Sequence, residues 1–333
     1  MRFLADDRLY QDTDRCLEWL RGLEPPAPAG APGEPEPCHL YWEGTFGAKQ
    51  AVAARSFLAT QDLGRLEPWL WLDAENGYEG HATNPFLEPL LPLLRIERFD
   101  AVQEACGTPA GEVVAEYRHA PVVHRSNLFR FVVLHKHGGL YSDLDMLFLR
   151  DLGTLVDALG TEVEWAYRWS AHMNHGNNGF MRLHAGGTTS GQLLHRGLSS
   201  RGMRSRDVLR FEDAEEIDLL ILPSAVFDPL WAHHDRRDVA ASAPFDRFEE
   251  LFRSPRGRDR GRPGAGSLRD FFPGAFAFHW HNHWSTPVEP GSPFARLARE
   301  FDGILLERLG IAALELPTTR RRVGLRVRPG SGR

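Results

Sequence analysis

The sequence predicts an α/β protein with a central, mostly parallel sheet. Short apolar strands and helix-forming stretches alternate from about residue 38 onward, which is the pattern of parallel strands joined by crossover helices. The 333 residues are 42% hydrophobic and include 9 Trp and 20 Phe, so the chain can bury a large core and lacks the composition of a disordered protein. Ligands of such sheets bind at the carboxyl ends of the strands, and we expect the functional site there.

Capping and breaking residues define the elements of the first third of the chain. Asp12 or Asp14 caps a predicted helix over residues 12–23, and proline ends it because proline removes a helical hydrogen bond. The elements that follow are a Pro/Ala/Gly linker over 24–37, a strand over His39–Trp42, a helix over Lys49–Thr60, and a strand over Trp69–Leu72 that ends at Asp73 before an Asn76-Gly77 turn.

A longer helix and strand come next. The helix is predicted over His124–His137 and ends at Gly138-Gly139, because glycine permits a left-handed cap. Residues Leu140–Leu149 are predicted as one strand. Beyond Asp151 the periodicity weakens.

The predicted organisation has one main domain. It consists of an N-terminal helical segment over 1–23, the linker over 24–37, a single domain over 38–318 and a basic tail over 319–333. A Gly/Pro/Arg-rich stretch over 253–267 is predicted to be a loop inside that domain.

Charge and cysteine usage restrict the partners and the compartment. A net charge of −6 gives no basic field for nucleic acid. Three irregularly spaced cysteines form neither a disulfide framework nor a zinc site, which suits a reducing compartment. No signal peptide or apolar run of membrane-spanning length is present, so we predict a cytoplasmic protein with no transmembrane segment. The arginines of the tail are either solvated or in peripheral contact with an anionic membrane.

Two aspartates in the predicted strand carry the chemistry. Side chains two residues apart in a strand share a face, so Asp143 and Asp145 are predicted to project together. Adjacent carboxylates repel unless a cation or a proton lies between them, and a hard cation such as Mn²⁺ or Mg²⁺ suits oxygen ligands. The alternative is two solvated aspartates at a strand end.

The preceding helix adds a charged residue to this segment. Asn127, Arg130 and Leu134 fall along one side of the helix. Arginine has paired donors that suit a diphosphate or sugar hydroxyls. The alternative for Arg130 is a surface ion pair.

The run Ser126-Asn127-x-x-Arg130, an apolar helix, and Gly138-Gly139-x-Tyr141-x-Asp143-x-Asp145 resembles a known enzyme family. The family is the group of glycosyltransferases with a sugar-binding region containing a DXD motif. It includes α-1,4-galactosyltransferase, capsular-polysaccharide transferases and the catalytic domain of the clostridial glucosylating toxins. Three further segments agree in order, so that the resemblance covers roughly 38–286: His39–Gly44, Trp69–Asp73, and Ile221–Pro229 with His279–Ser285.

The resemblance implies a GT-A-like fold, a divalent metal, a UDP- or similar nucleotide-sugar donor and retention of anomeric configuration. It implies that Asp145 binds the metal directly and Asp143 through water, and that His279, His281 or Asn282 completes the metal shell. The donor contacts it implies are Trp42 near the base, Asp73, Arg130, Asp143, Trp280 and Trp284. The expected catalytic residues are Asp143, Asp145, Arg130 and Asn127. The family usually has Ser-Asp where this chain has Ser126-Asn127, and an amide in place of a carboxylate predicts an altered donor preference.

A segment after the DXD motif is predicted to contact sugar. Trp169 and Asn178 lie in a stretch rich in His and Asn, and we predict contact with the donor sugar or the acceptor there; a hairpin turn is the alternative. His172-x-x-His175 suits a metal less well, because the residues around it favour a loop. His233-His234-Asp235 is predicted to be a solvated turn.

Three rival functions differ in what they require. An aspartate-based phosphatase needs Thr or Val two places after the second aspartate, where this chain has Leu147. A catalytically silent nucleotide-sugar-binding protein is suggested by Asn127. A toxin-like enzyme would modify a protein. No translocation segment is visible, so a glycan or lipid-linked acceptor is the preferred prediction.

Overall fold

The computed structural model describes residues 1–24, 34–75, 78–117, 119–200, 202–212, 217–231, 243–255 and 267–319. Several sequence predictions lie outside these ranges: most of the linker, the Asn76-Gly77 turn, the His233-His234-Asp235 turn, most of the Gly/Pro/Arg-rich loop and the arginine tail.

Strands and helices alternate through the described chain. The strands are β1 (Arg2–Phe3), β2 (Glu36–Trp42), β3 (Leu66–Asp73), β4 (Arg95–Phe99), β5 (Gly139–Ser142), β6 (Met146–Phe148), β7 (Trp165–Arg168), β8 (Gly176–Leu183), β9 (Leu220–Leu222) and β10 (Ala277–His279). The helices are α1 (Thr13–Arg21), α2 (Ala48–Thr60), α3 (Ala101–Ala105), α4 (Val114–Tyr117), α5 (Val122–His137), α6 (Gly153–Leu159), α7 (Thr188–Leu198), α8 (Ser205–Val208) and α9 (Pro293–Leu309).

Within the described ranges, eight strands form one sheet in the order β1-β9-β7-β8-β5-β2-β3-β4. Five of its neighbouring pairs are parallel, and β8 runs antiparallel to both β5 and β7. A second, two-stranded sheet pairs β6 with β10 in antiparallel fashion. The predicted α/β fold with a mostly parallel sheet is therefore confirmed.

The large sheet separates two apolar layers, because side chains alternate along each strand. In β2, Leu40 belongs to the layer that α2 and α9 cover, and Tyr41 to the layer that α5 and α7 cover. Leu70 and Trp71 of β3 divide in the same way. These layers fix the carboxyl ends of β2 and β5 side by side.

The single strand predicted over Leu140–Leu149 is wrong. The chain leaves the large sheet after Ser142, turns through the two aspartates, and re-enters extended structure in β6. The turn arises because β6 pairs with β10 in the other sheet, where Leu147 lies opposite Phe278. The expected left-handed cap is also wrong in detail: Gly138 has the positive φ of 69° that favours glycine, but its ψ of −166° lies outside the left-handed helical region.

The N-terminal segment packs into the same body as the predicted domain. β1 pairs with β9 in parallel, and α1, which Asp12 caps, places Cys16, Leu17 and Leu20 in the first apolar layer. β2 begins at Glu36 rather than at residue 38. No helix in the described ranges is long and apolar enough to cross a membrane.

Candidate active site

A cavity of about 620 Å³ opens at the carboxyl ends of β2, β5 and β7. Most of the residues predicted for the site line it: Trp42, Asn127, Arg130, Asp143, Asp145, Trp169, Asn178, His279, His281, Asn282 and Trp284. The structure thus brings together residues that are up to 242 positions apart (42 to 284) at the sheet edge where ligands were expected.

Backbone hydrogen bonds fix the turn that carries the two aspartates. The amide of Asp143 donates to the carbonyl of Gly179 at 2.8 Å, and the carbonyl of Asp145 accepts from the amide of Trp280 at 2.9 Å. The pairing of β6 with β10 places His279 opposite Met146. The carboxylates therefore converge because the turn is held at both ends, and not through the two-residue period of a strand.

Arg130 holds Asp143 from the side of α5. Its Nη2 lies 3.0 Å from Oδ1 of Asp143, and its Nη1 donates to the carbonyl of Asn178 at 2.8 Å. Nη2 of Arg130 also donates a hydrogen bond to Oγ of Ser126 at 2.9 Å. Burial alone would lower the pKa of Arg130, but the facing charges of Asp143 and Asp145 raise it. With its donors engaged, this buried guanidinium orients Asp143 and supplies positive charge.

Asp145 and His279 form a buried ion pair. Oδ1 of Asp145 lies 3.2 Å from Nε2 of His279, and the amide of Asn282 donates to Oδ2 at 2.7 Å. Burial disfavours the charged form of both groups, yet the opposite charges outweigh it. They lower the pKa of Asp145 to about 2 and raise the pKa of His279 to about 9.

The donor set fits a divalent cation. Ligand atoms of Asp143, Asp145 and His279 all lie within 4.8 Å of one another. Carboxylate oxygens with one imidazole nitrogen suit Mn²⁺, and carboxylates alone suit Mg²⁺. His279 would bind in its neutral form, so the ion would take over the positive charge that the protonated imidazole contributes here.

The other two predicted metal ligands have different partners. Nε2 of His281 donates to Oδ2 of Asp228 at 2.7 Å, and the His281 ring stacks on His279 with centroids 3.9 Å apart. The side-chain oxygen of Asn282 accepts from the indole of Trp284 at 3.2 Å. Both residues line the cavity next to the three-residue cluster.

Asp228 was missed in the sequence. It is fully buried, and its Oδ1 has no hydrogen-bond partner among the described residues. It could form a cation-binding group with His279 and His281, and the hydroxyl of Tyr167 hydrogen-bonds Nδ1 of His279 at 3.0 Å. Asp228 is the middle residue of the Phe227-x-Pro229 segment that the family resemblance includes, so this carboxylate could have been considered from the sequence. Asp228 fixes His281, whose ring stacks on His279, and buried carboxylates commonly orient the histidines of a metal site in this way.

Two indole rings form one wall of the cavity. Trp42 and Trp284 both line it, with ring centroids 4.7 Å apart. Trp280, by contrast, was expected to contact the donor but is buried in the apolar core, because β10 alternates and sends that side chain away from the cavity. Asp73 lines a separate cavity of about 280 Å³ together with Arg125. Neither Trp280 nor Asp73 therefore lines the cavity that contains Asp143 and Asp145.

An irregularity in β8 directs Asn178 into the site. The register with β7 shifts between Ala166, opposite Met181, and Tyr167, opposite Asn177. Such a shift re-aims side chains next to it. Asn178 accepts from Arg130 and donates to the amide oxygen of Asn127 at 3.3 Å. Residues 177–179 thus lie within a strand, and not in the hairpin turn considered as an alternative.

Gly179 allows the close approach of the aspartate turn. A Cβ atom there would lie 2.8 Å from Oδ2 of Asp143 and 3.3 Å from Cε1 of His279. No side chain fits this position without moving a carboxylate that Arg130 holds.

An α/β domain that collects two carboxylates, an imidazole and a guanidinium at its strand ends is suited to bind a metal together with a phosphorylated ligand. Residues 99–165 match the family described as glycosyltransferase sugar-binding region containing DXD motif. Over these 67 of 333 residues, the match agrees with the glycosyltransferase family predicted from the sequence. The matched segment includes Arg130, Asp143 and Asp145.

Similar solved structures include three glycosyltransferases. PaToxG glycosyltransferase is 16% identical with a TM-score of 0.40, over 62% of this chain and 76% of that chain. GlyE of Streptococcus pneumoniae TIGR4 is 14% identical with a TM-score of 0.37, over 58% and 46%. The bifunctional glycosyltransferase WbbM is 11% identical with a TM-score of 0.37, over 84% and 52%. The chain therefore spans about half the length of the last two. No curated protein sequence matches it.

Proposed function

We propose that this enzyme transfers a sugar from a nucleotide-sugar, with a UDP-sugar as the first candidate, to a glycan or lipid-linked acceptor in a metal-dependent reaction that retains anomeric configuration. The observation that carries the proposal is the cluster of Asp143, Asp145 and His279, whose ligand atoms lie within 4.8 Å of one another beside the Arg130 guanidinium. We also propose the cytoplasm as the site of reaction, which suits the sparse cysteines.

Asp143, Asp145 and His279 would hold Mn²⁺ or Mg²⁺, with His281 and Asn282 adjacent. The ion would supply Lewis-acid stabilisation of the departing diphosphate, worth several kcal/mol. Arg130 keeps Asp143 in one orientation and adds a fixed positive charge to this side of the cavity. Fixed charges of this kind stabilise a developing anion without reorganisation.

The remaining residues position the donor. Trp42 and Trp284 present ring faces that suit a nucleobase. The amides of Asn127 and Asn178 can exchange hydrogen bonds with sugar hydroxyls, and Trp169 offers a flat surface farther along the cavity. Trp280 and Asp73 have no part in this proposal.

The asparagine that replaces the family's usual aspartate supports an active site rather than a silent one. Asn127 donates to the carbonyl of Gly202 at 2.9 Å and accepts from Asn178, so its amide is integrated into the network around Arg130. A vestigial site would lack a reason to keep both bonds. We therefore favour an altered donor preference.

The test is a panel of nucleotide sugars incubated with Mn²⁺, with release of free nucleoside diphosphate as the readout. We expect slow hydrolysis of at least one UDP- or GDP-sugar, abolished by a chelator and by Asp145→Ala. Asp270→Ala removes an exposed carboxylate and is the matched control, with unchanged turnover expected. Turnover that survives both the chelator and Asp145→Ala would refute the proposed site.

A further inference from the structure

Two arginines on the rim of the cavity have no role in the proposed donor chemistry. Arg204 and Arg206 are exposed and line the same cavity as the aspartate turn. Neither has an ion-pair or hydrogen-bond partner for its side chain in the part of the chain that the structure describes. These two positive charges are therefore unpaired, unlike the other charges that line the cavity.

The other charged groups that line the cavity are paired. Glu43 binds Arg125 through both carboxylate oxygens, Asp143 binds Arg130, and Asp145 binds His279. A divalent cation would balance the two negative charges of a donor diphosphate. The carboxylates of Asp143 and Asp145 and the guanidinium of Arg130 then sum to one negative charge, because His279 is neutral when it binds the ion. The two positive charges of Arg204 and Arg206 bring the net charge of the occupied cavity to +1. A further anion would balance this charge.

The two arginines are held in place relative to the reaction centre. Ser205 between them is buried, and its hydroxyl donates to the side-chain oxygen of Asn178 at 2.6 Å. The carbonyl of Gly202 accepts from Asn127 at 2.9 Å. The segment is thus tied at two points to the network around Arg130, which fixes the backbone that carries the two arginines at the edge of the cavity.

The neighbouring surface suits a sugar ring. Trp169 and His175 line the cavity with ring centroids 5.7 Å apart, and Trp169 also lies near the ring of His281. An aromatic face supports the apolar face of a pyranose, while arginine binds carboxylate and phosphate through paired donors. We propose that the acceptor is a sugar with an anionic group, a phosphate or a carboxylate, that Arg204 and Arg206 bind beside Trp169. This inference rests on the proposed glycosyl transfer.

Binding to the enzyme with its donor site occupied tests the inference. The enzyme is saturated with UDP and Mn²⁺ and titrated calorimetrically with glucose, glucuronic acid or glucose 6-phosphate. We expect at least one of the two charged sugars to bind about tenfold or more tightly than glucose, because charge-assisted hydrogen bonds to arginine are strong. A preference for glucuronic acid would assign a carboxylate, and a preference for glucose 6-phosphate would assign a phosphate.

Matched variants separate this site from the donor site. Arg204→Gln with Arg206→Gln should remove the preference for the charged sugars and leave UDP affinity and donor hydrolysis within about twofold of the parent. Arg269→Gln removes an exposed charge elsewhere and should change nothing. Equal binding of all three sugars, no binding of any, or a parallel loss of UDP affinity in the double variant would overturn the inference. Failure of donor hydrolysis in the parent enzyme would instead refute the proposed function.

Discussion

The inner and outer parts of the cavity differ in how their charges are held. Around the aspartate turn, each charge meets an opposite charge or a buried hydrogen bond: Arg130 on Asp143, His279 on Asp145, and Asp228 on His281. On the rim, Arg204 and Arg206 face solvent, and the half-buried rings of Trp42 and Trp284 line the cavity. The difference teaches that the inner groups are fixed before any ligand arrives, whereas the outer groups are available to select one. Substitutions inside should therefore affect turnover or metal, and those outside should affect one ligand at a time.

Gly179→Ala should have the largest effect. The new methyl group would meet Oδ2 of Asp143 at 2.8 Å and displace a carboxylate that Arg130 holds. We expect donor hydrolysis to fall about 100-fold, as for loss of a fixed catalytic group, with little change in the thermal unfolding midpoint. Gly303→Ala on α9, where a Cβ atom has open space, is the control and should keep full activity. Full activity of Gly179→Ala would show that the inner groups are not held as tightly as described.

Asp228→Asn should weaken metal binding. The amide keeps the shape but loses the charge that accepts from His281, and loss of such supporting groups costs about 10–100-fold in metal affinity. Titration calorimetry with Mn²⁺ measures this, without any need for turnover. Asp157→Asn disrupts a partly exposed ion pair with Arg65 and should leave the affinity unchanged. Equal Mn²⁺ affinity in the two variants would remove Asp228 from the inner group.

Trp284→Ala should weaken the nucleotide alone. Stacking of a base on an aromatic ring contributes about 1–3 kcal/mol, so we expect UDP affinity to fall about tenfold while Mn²⁺ affinity stays the same. Trp169 follows β7, which β8 and β5 separate from β2 in the sheet, so Trp169→Ala should leave UDP affinity within about twofold. If the two variants behaved alike, the division of the rim into a base wall and a sugar wall would be wrong.

The last prediction concerns acid stability and lies in the sheet beneath the cavity. His39 is buried and neutral: its Nε2 donates to the carbonyl of Gly138 and its Nδ1 accepts from Trp71. Burial lowers its pKa to about 3. The fold thus prefers the neutral form, so its contribution is complete above pH 6.5. That contribution is lost by up to about 1.4 kcal/mol per pH unit as the pH falls from 6.5 toward 3.

Denaturant unfolding between pH 4.5 and 6.5 checks this sign. His39→Gln should give a shallower loss of stability with acid than the parent, because glutamine does not titrate. The contribution of the Asp145–His279 pair changes mainly outside this window, because Asp145 titrates between its unfolded pKa of 3.8 and its folded pKa of about 2, and His279 between 6.5 and about 9. Parallel slopes in parent and variant would contradict the assignment to His39.

Much of the fold and the centre of the site could be predicted from the sequence. Alternating apolar segments gave the parallel sheet, and capping residues such as Asp12 gave helix starts, because these signals are local. One combined pattern predicted Arg130, Asp143 and Asp145, and a separate segment of the family resemblance predicted His279. The interruption of the strand at Asp143 could not be predicted, since residues 140–149 have the mostly apolar composition of a single continuous strand. It is the pairing of β6 with distant β10 that breaks it.

The errors share a physical cause. Trp280 looks like a donor contact beside two site histidines, but only the register of β10 decides which face each side chain takes. Asp228 acts as the buried hydrogen-bond partner of His281, and Gly179 leaves the space that Asp143 occupies; both partners are far away in sequence. Neither role leaves a local signature in the chain.

The small sheet formed by β6 and β10 links the two ends of the enzyme's chemistry across more than 120 positions. One strand adjoins the acidic turn and the other ends at His279. During synthesis, the acidic turn emerges from the ribosome long before its imidazole partner. A nascent chain would therefore stay unable to assemble the complete cluster until β10 has docked, which delays any chemistry at the cluster until the fold has closed.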